Sequence, residues 1–161
     1  METIETLKNK RTELDMKIEL LEYAESTFKE GEVFWYVDLY GSTQQHRWDK
    51  SSWVDSCFYQ GHIFHTEKEA ILEAKKRRLM HLFRVFRDKC NDGWELDWKD
   101  FKQDKYYLFY SSVENRIKVD CATFGDYFYN FGYFKNESDC EKAIELFGDE
   151  IEELFVDCEG R

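Results

Sequence analysis

The chain contains no proline at all. Proline-stiffened spacers therefore do not organise it, and long rigid linkers are excluded. No stretch approaches the ~18 consecutive apolar residues that a membrane-spanning helix needs. The opening residues, METIETLKNK, carry no apolar segment of the kind that directs secretion. These absences lead to the expectation of a cytoplasmic protein with no membrane partner. The five cysteines, Cys57, Cys90, Cys121, Cys140 and Cys158, are odd in number and widely scattered, with no C-x-x-C pair among them. They are expected as reduced thiols that behave like small core hydrophobes.

Motifs for chemistry are also missing. There is no G-x-G-x-x-G, P-loop, H-E-x-x-H or EF-hand pattern, and no nucleophile motif around any Ser or Cys. No catalytic residue, cofactor or metal site is expected, and the chain reads as a non-enzyme. His62 and His65, with Cys57 nearby, look at first like a metal set. Residues three apart on a strand point to opposite faces, which argues against a shared site. Asp97, Asp100 and Asp104 in one link could hold a hard cation, but acidic solvated loops are far commoner.

What is present is charge and aromatic bulk. Charged residues make up 35% of the chain and aromatics 18%, so large rings can build a core despite the polar surface. Net charge is −11, distributed as −3 over residues 1–31, +1 over 32–92 and −9 over 93–161. A field of that sign repels nucleic acid and attracts basic protein surfaces. Lys75–Arg78 with Arg84, Arg87 and Lys89 form a basic helix that could touch phosphates. Half of these positions fall on the solvated face, and the overall charge argues against direct nucleic-acid binding.

The sequence also repeats itself. An aromatic strand at Val33–Tyr40 leads to Gly61–Ala70, and a second at Lys105–Ser111 leads to Phe131–Ala143. Phe64 and Phe134 are 70 positions apart, as are Thr66 and Asn136. Such a period predicts a duplicated supersecondary unit. Residues 3–29 read as one helix, with Ile4, Leu7, Leu14, Ile18, Leu21 and Phe28 in heptad a/d spacing and Arg11 at an a position. The stripe is narrow, so Ile4, Leu7, Leu14, Ile18 and Leu21 are candidates for self-association as a two-stranded coiled coil, giving a homodimer. The alternative is a helix folded back on its own domain.

Strands are predicted at Val33–Leu39, His46–Trp53 and Cys57–Phe64. A capping box at Thr66 and Glu69 opens a helix that Asn91-Asp92-Gly93 stops. Lys105–Ser111 and Arg116–Cys121 predict a hairpin around Ser112–Asn115. Asn136 or Ser138 caps a last helix, and Gly148 ends it. Trp94, Trp98 and Phe101 in the link are expected to pack across a junction between the two units. The architecture is α+β: an N-terminal coiled-coil-type helix (1–30), then two βββα units (31–93 and 94–161) with mainly antiparallel sheet, 31–161 forming one compact domain.

With those residues in view, the chain resembles a family of small proteins encoded by phages and prophages of Gram-positive bacteria. The matching signature runs from Gly31–Asp38 (GEVFWYVD) through Gly61–Ala70 (G-x-x-F-x-T-x-x-E-A) and Asp97–Trp98 followed by Lys105–Tyr107, to Phe134–Gly148 (F-x8-A-I-x3-G), and covers roughly residues 28–156. Arg77 departs from it, standing where the family tends to have an apolar helix residue. The resemblance implies a viral or mobile-element protein acting in the host cytoplasm, and by analogy one that binds and blocks a host factor such as a nucleic-acid-handling defence complex.

Two functional classes follow. The first is a protein-binding module, an inhibitor whose acidic C-terminal face (Glu141, Glu145, Asp149, Glu150, Glu152 and Glu153) meets a host protein with a basic surface. The second is a binder or sponge for a small molecule such as a nucleotide, in an aromatic pocket between the two units formed by Tyr36, Trp94, Trp98 and Tyr107. A purely structural oligomerisation protein is the remaining alternative.

Overall fold

The computed structural model describes residues 2–49, 51–122 and 129–158, without the side chains of residues 20, 21, 24 and 25. The fold is α+β, and the two sheets among the described residues are antiparallel. The chain divides into two compact units between Ala70 and Ile71.

The first helix, α1, spans Ile4–Glu25. The Thr3 hydroxyl accepts the Thr6 N–H at its start, and the i,i+4 pairs Glu13–Lys17 (2.5 Å) and Arg11–Asp15 (3.6 Å) support its surface. It ends four residues earlier than the heptad spacing predicts, because Phe28 leaves the stripe. Phe28 is buried with Phe34, Trp48 and Val54 in the core of the first unit. Its ring stacks on Trp48 (5.3 Å) and on His65 (4.1 Å). The remaining stripe has no cover among the described residues: Ile4, Leu7, Leu14 and Ile18 are 74, 51, 58 and 53% exposed. The side chain of Leu21 lies outside the described residues.

A hairpin follows, β1 (Val33–Val37) and β2 (Thr43–Arg47). Its turn is built by Asp38, whose carboxylate accepts the N–H groups of Tyr40 and Ser42 at 2.8 and 2.9 Å. β2 lies earlier than the expected His46–Trp53, and Trp48 drops out of it into the core. The predicted third strand at Cys57–Phe64 is mostly helix instead: α2 spans Ser52–Tyr59, and only Ile63–Phe64 forms β3. Ser51 caps α2 by accepting the Val54 N–H, and Val54 and Phe58, four apart, put one helical face into the core. β3 pairs with β1, giving sheet order β2-β1-β3.

The capping box forms as read: the Thr66 N–H donates to Glu69 Oε2 (2.9 Å) and the Glu69 N–H to Thr66 Oγ1 (3.2 Å). It opens α3, Glu67–Asn91. Beyond its first turn α3 belongs to the second unit, where Leu79 and Phe83 are buried with Leu108, Ile117, Phe134, Cys140 and Ala143. The expected boundary at 93/94 is thus displaced to 70/71, because the apolar stripe of α3 serves the core of the second hairpin.

That hairpin is β4 (Lys105–Ser111) and β5 (Arg116–Ala122). Strand alternation sorts its side chains: Tyr106, Leu108, Tyr110, Ile117 and Val119 join the core with α3, while Tyr107, Phe109 and Ala122 join a separate cluster with Trp94, Leu96, Tyr129 and Tyr133. No third strand forms among the described residues of this unit. Tyr106 and Phe134 instead exchange two backbone hydrogen bonds (3.1 and 2.8 Å) as a single antiparallel bridge. The last helix, α4, spans Glu137–Ile151 after its N-cap Asn136 and continues as a π-helical segment, Glu152–Asp157. Gly148 does not end it. It lies buried inside α4, where a Cβ would meet Ile144 Cγ2 at 3.3 Å, and Ile151 and Leu154 carry the apolar face onward.

The duplication is visible in the pairing. Trp35 of β1 pairs antiparallel with Phe64, and Tyr106 of β4 pairs the same way with Phe134. Each Phe is followed by two bent residues and a helix, starting at Glu67 and at Glu137, so the 70-residue spacing holds.

Because Phe28 fixes the chain leaving α1 to the first core, Phe28→Ala is expected to remove about 3–5 kcal/mol from that unit. Urea unfolding followed by tryptophan fluorescence would show it as an early transition.

Candidate functional site

An open concave feature lined by rings and charged groups lies within the second unit, where α3 ends. Asp92 and Gly93 take positive φ (42° and 75°) and reverse the chain, and the Trp94 N–H returns to the Asn91 carbonyl at 2.8 Å. Asn91 is buried and ties two segments together. Its amide donates to the Tyr133 carbonyl and accepts the Lys135 N–H, both at 2.9 Å.

One turn earlier, Arg87 Nη1 donates to the Phe131 carbonyl at 3.1 Å, and its Nε and Nη2 both donate to Asp88 Oδ1. Gly132 makes this possible. It has φ +71°, and a Cβ there would collide with Arg87 Nη1. Trp94, Leu96, Trp98, Tyr129 and Tyr133 complete the walls of an open cavity of about 490 Å³ whose polar side is Arg87, Asp88 and Asn130. That size and mixture suit a small organic ligand.

Of the four pocket residues predicted from sequence, Trp94 and Trp98 line this cavity. Trp98 meets Tyr133 edge-on at 6.0 Å. Tyr107 stands behind the wall, stacked on Tyr129 at 4.1 Å with its hydroxyl donating to Asp120 Oδ2 at 3.1 Å. Burial, then the neighbouring Tyr129 and Asp120, hold its phenol well above the ordinary tyrosine value, so it stays protonated. Tyr36 is in the first unit, edge-on to Trp53 at 5.2 Å, and has no part in this cavity. The lining comes from both sides of the expected 93/94 boundary and lies wholly within Ile71–Arg161, where the link residues Trp94 and Leu96 pack on the outer face of β4–β5. Phe101 of the same link is exposed.

The link acids have structural tasks. Asp97 Oδ1 accepts the Lys99 N–H and Asp100 Oδ1 the Lys102 N–H, at 2.8 and 2.9 Å. Among the described residues no group of three or more His, Cys, Asp or Glu is placed to hold a metal ion. His65 is stacked on Phe28, and Cys57 sits in α2. No helix among the described residues is long and apolar enough to cross a membrane.

The acidic face on α4 is partly engaged in the fold. Glu152 accepts the Ile117 N–H at 3.0 Å, closing the edge of β5, and Glu153 pairs with Lys75 of α3 at 3.3 Å. Glu141, Glu145, Asp149 and Glu150 make no ion pair among the described residues. Arg116 and Lys118, which share a groove with Glu141 and Glu145, are both held by Glu114. The basic row on α3 is partly compensated too: Lys75 by Glu153, Arg77 by Glu73 and Arg87 by Asp88, while Lys76 lies over the Phe155 ring at 4.7 Å.

Asn91, Gly132 and Tyr133 were not legible as site residues, their signals being a helix-stop triplet and a glycine between aromatics, and Arg87 was legible only as one charge of a basic helix.

Gly132→Ala is expected to destabilise the second unit by roughly 1–3 kcal/mol through its left-handed φ and the displaced guanidinium. In chemical denaturation, combining it with Arg87→Ala should cost less than the sum of the single changes.

The chain matches no protein-family model, no curated protein and no solved structure.

Proposed function

We propose that this chain is a non-catalytic protein-binding module, self-associating through α1, that docks on a basic protein surface with the acidic face of α4. The observation that carries the reading is the row Glu141, Glu145 and Asp149, spaced i, i+4, i+8 and engaged in no ion pair among the described residues. Each such like-charge pair costs a helix about 0.2–0.5 kcal/mol. A row retained at that cost, in a segment of net charge −9, is suited to steering toward cations. In the setting that the sequence resemblance implies, the chain is a phage or mobile-element protein in the host cytoplasm. Its target is a host protein whose basic surface ordinarily holds nucleic acid, a defence complex among them, and occupation of that surface inhibits it.

Tagged chain should retain such a partner from nuclease-treated host lysate and release it along a salt gradient, since the Debye length falls from about 10 Å at 0.1 M to about 3 Å at 1 M. Replacing Glu141, Glu145 and Asp149 together by Gln should slow association roughly tenfold or more at low salt. Equal retention by the triple variant, or retention unaffected by salt, would refute the acidic-face reading.

The cavity supports a second reading, binding of a nucleotide or another planar aromatic molecule, through the convergence of Trp94, Trp98, Tyr129 and Tyr133 beside Arg87 and Asp88. A nucleotide at 100 times its Kd would stabilise the fold by about 2.7 kcal/mol. No thermal shift across a panel of nucleotides would remove this reading.

A further inference from the structure

We propose that α1 pairs with α1 of a second copy in parallel, in-register orientation, so that both chains leave the coil at the same end. The inference rests on the self-association reading above and adds orientation and register to it.

The exposed stripe assigns the heptad. Ile4, Arg11 and Ile18 occupy a, and Leu7, Leu14 and Leu21 occupy d. Isoleucine at a with leucine at d is the arrangement that favours two parallel strands. The flanking charges make the choice of direction. Lys8, Asp15 and Glu22 fall at e, and Lys10 and Lys17 at g. A parallel pair brings each g position to the e position five residues on in the partner helix. Lys10 then meets Asp15 of the second copy and Lys17 meets Glu22 of the second copy, and symmetry repeats both contacts. An antiparallel pair aligns g with g and e with e, so Lys10 meets Lys17 on one flank while Lys8 meets Asp15 on the other, and repulsion offsets attraction where the parallel pair has attraction alone.

The intrahelical partners of these side chains do not block the exchange. Lys17–Glu13 and Lys10–Glu2 are solvent-exposed pairs, a kind that contributes little and is readily re-formed elsewhere. Arg11 is the cost of the arrangement, since it faces its own copy at the seam. Its Nε lies 3.6 Å from Asp15 of the same helix, which offsets part of that charge. One polar a residue fixes register at the expense of stability.

The test uses the full chain and sedimentation equilibrium, with two charge-reversed variants, Lys17→Glu and Glu22→Lys. The parallel pair predicts a dimer for the unaltered chain and a weaker dimer, by roughly tenfold, for each variant alone, since like charges then meet across the seam at both symmetry-related contacts. An equimolar mixture of the two variants should recover dimer, because the carboxylate introduced at position 17 of one chain then meets the ammonium introduced at position 22 of the other. Arg11→Ile should tighten the unaltered dimer by at least about tenfold through the added apolar burial.

An unaltered chain that is dimeric while Lys17→Glu binds itself more tightly would overturn the parallel orientation, because a carboxylate at position 17 gains from facing Lys10 only in the antiparallel pair. A dimer indifferent to all these charges, and also to Leu14→Glu with Ile18→Glu, would place the interface elsewhere and overturn the proposal. A chain monomeric at every concentration would overturn the self-association reading together with it.

Discussion

The second unit depends on one hairpin being buried on both faces. Alternation along β4 sends Tyr106, Leu108 and Tyr110 toward α3 and α4 and Tyr107 and Phe109 to the opposite side. A two-stranded ribbon has too little surface of its own to stand in water. It persists here because helices cover one face and the aromatic link 94–98 with Tyr129 and Tyr133 covers the other. The candidate cavity is a by-product of that second cover. Its walls are the same rings that shield β4, held in place by Asn91 and by the contact of Arg87 with Gly132.

Much of this was written locally in the chain. The capping box at Thr66 and Glu69, the Asn91-Asp92-Gly93 reversal and the β4–β5 hairpin each rest on residues within a few positions of one another, and each formed as read. The 70-residue repeat was legible for the same reason, since a Phe before a helix cap is a local pattern. What was misread needed knowledge of distant partners. Cys57–Phe64 looked like a strand because its aromatics are β-formers, yet the Ser51 cap and the burial of Val54 and Phe58 make α2. Gly148 looked like a stop because its role, close packing against Ile144, depends on the core. The division of the chain was misplaced because nothing local says that the helix following the first hairpin packs in the core of the second.

The candidate site shows the same limit. Trp94 and Trp98 were legible as unusual aromatics in an acidic link, whereas Arg87 read as one charge in a basic helix. The acidic face was legible as composition, but composition does not distinguish Glu152 and Glu153, which hold β5 and α3, from Glu141, Glu145 and Asp149, which make no ion pair among the described residues. The proposed association role rests on that remainder, an uncovered apolar stripe on α1 and an acidic row on α4 that makes no ion pair among the described residues.

An isolated helix of 22 residues with an uncovered apolar stripe is marginal in water, so its stability reports directly on pairing. The most direct measurement is amide hydrogen exchange along the chain at two widely separated protein concentrations. The account predicts that protection within residues 4–25 rises with concentration, while that of the β4–β5 hairpin stays constant. Exchange in α1 that is fast and the same at both concentrations would contradict it.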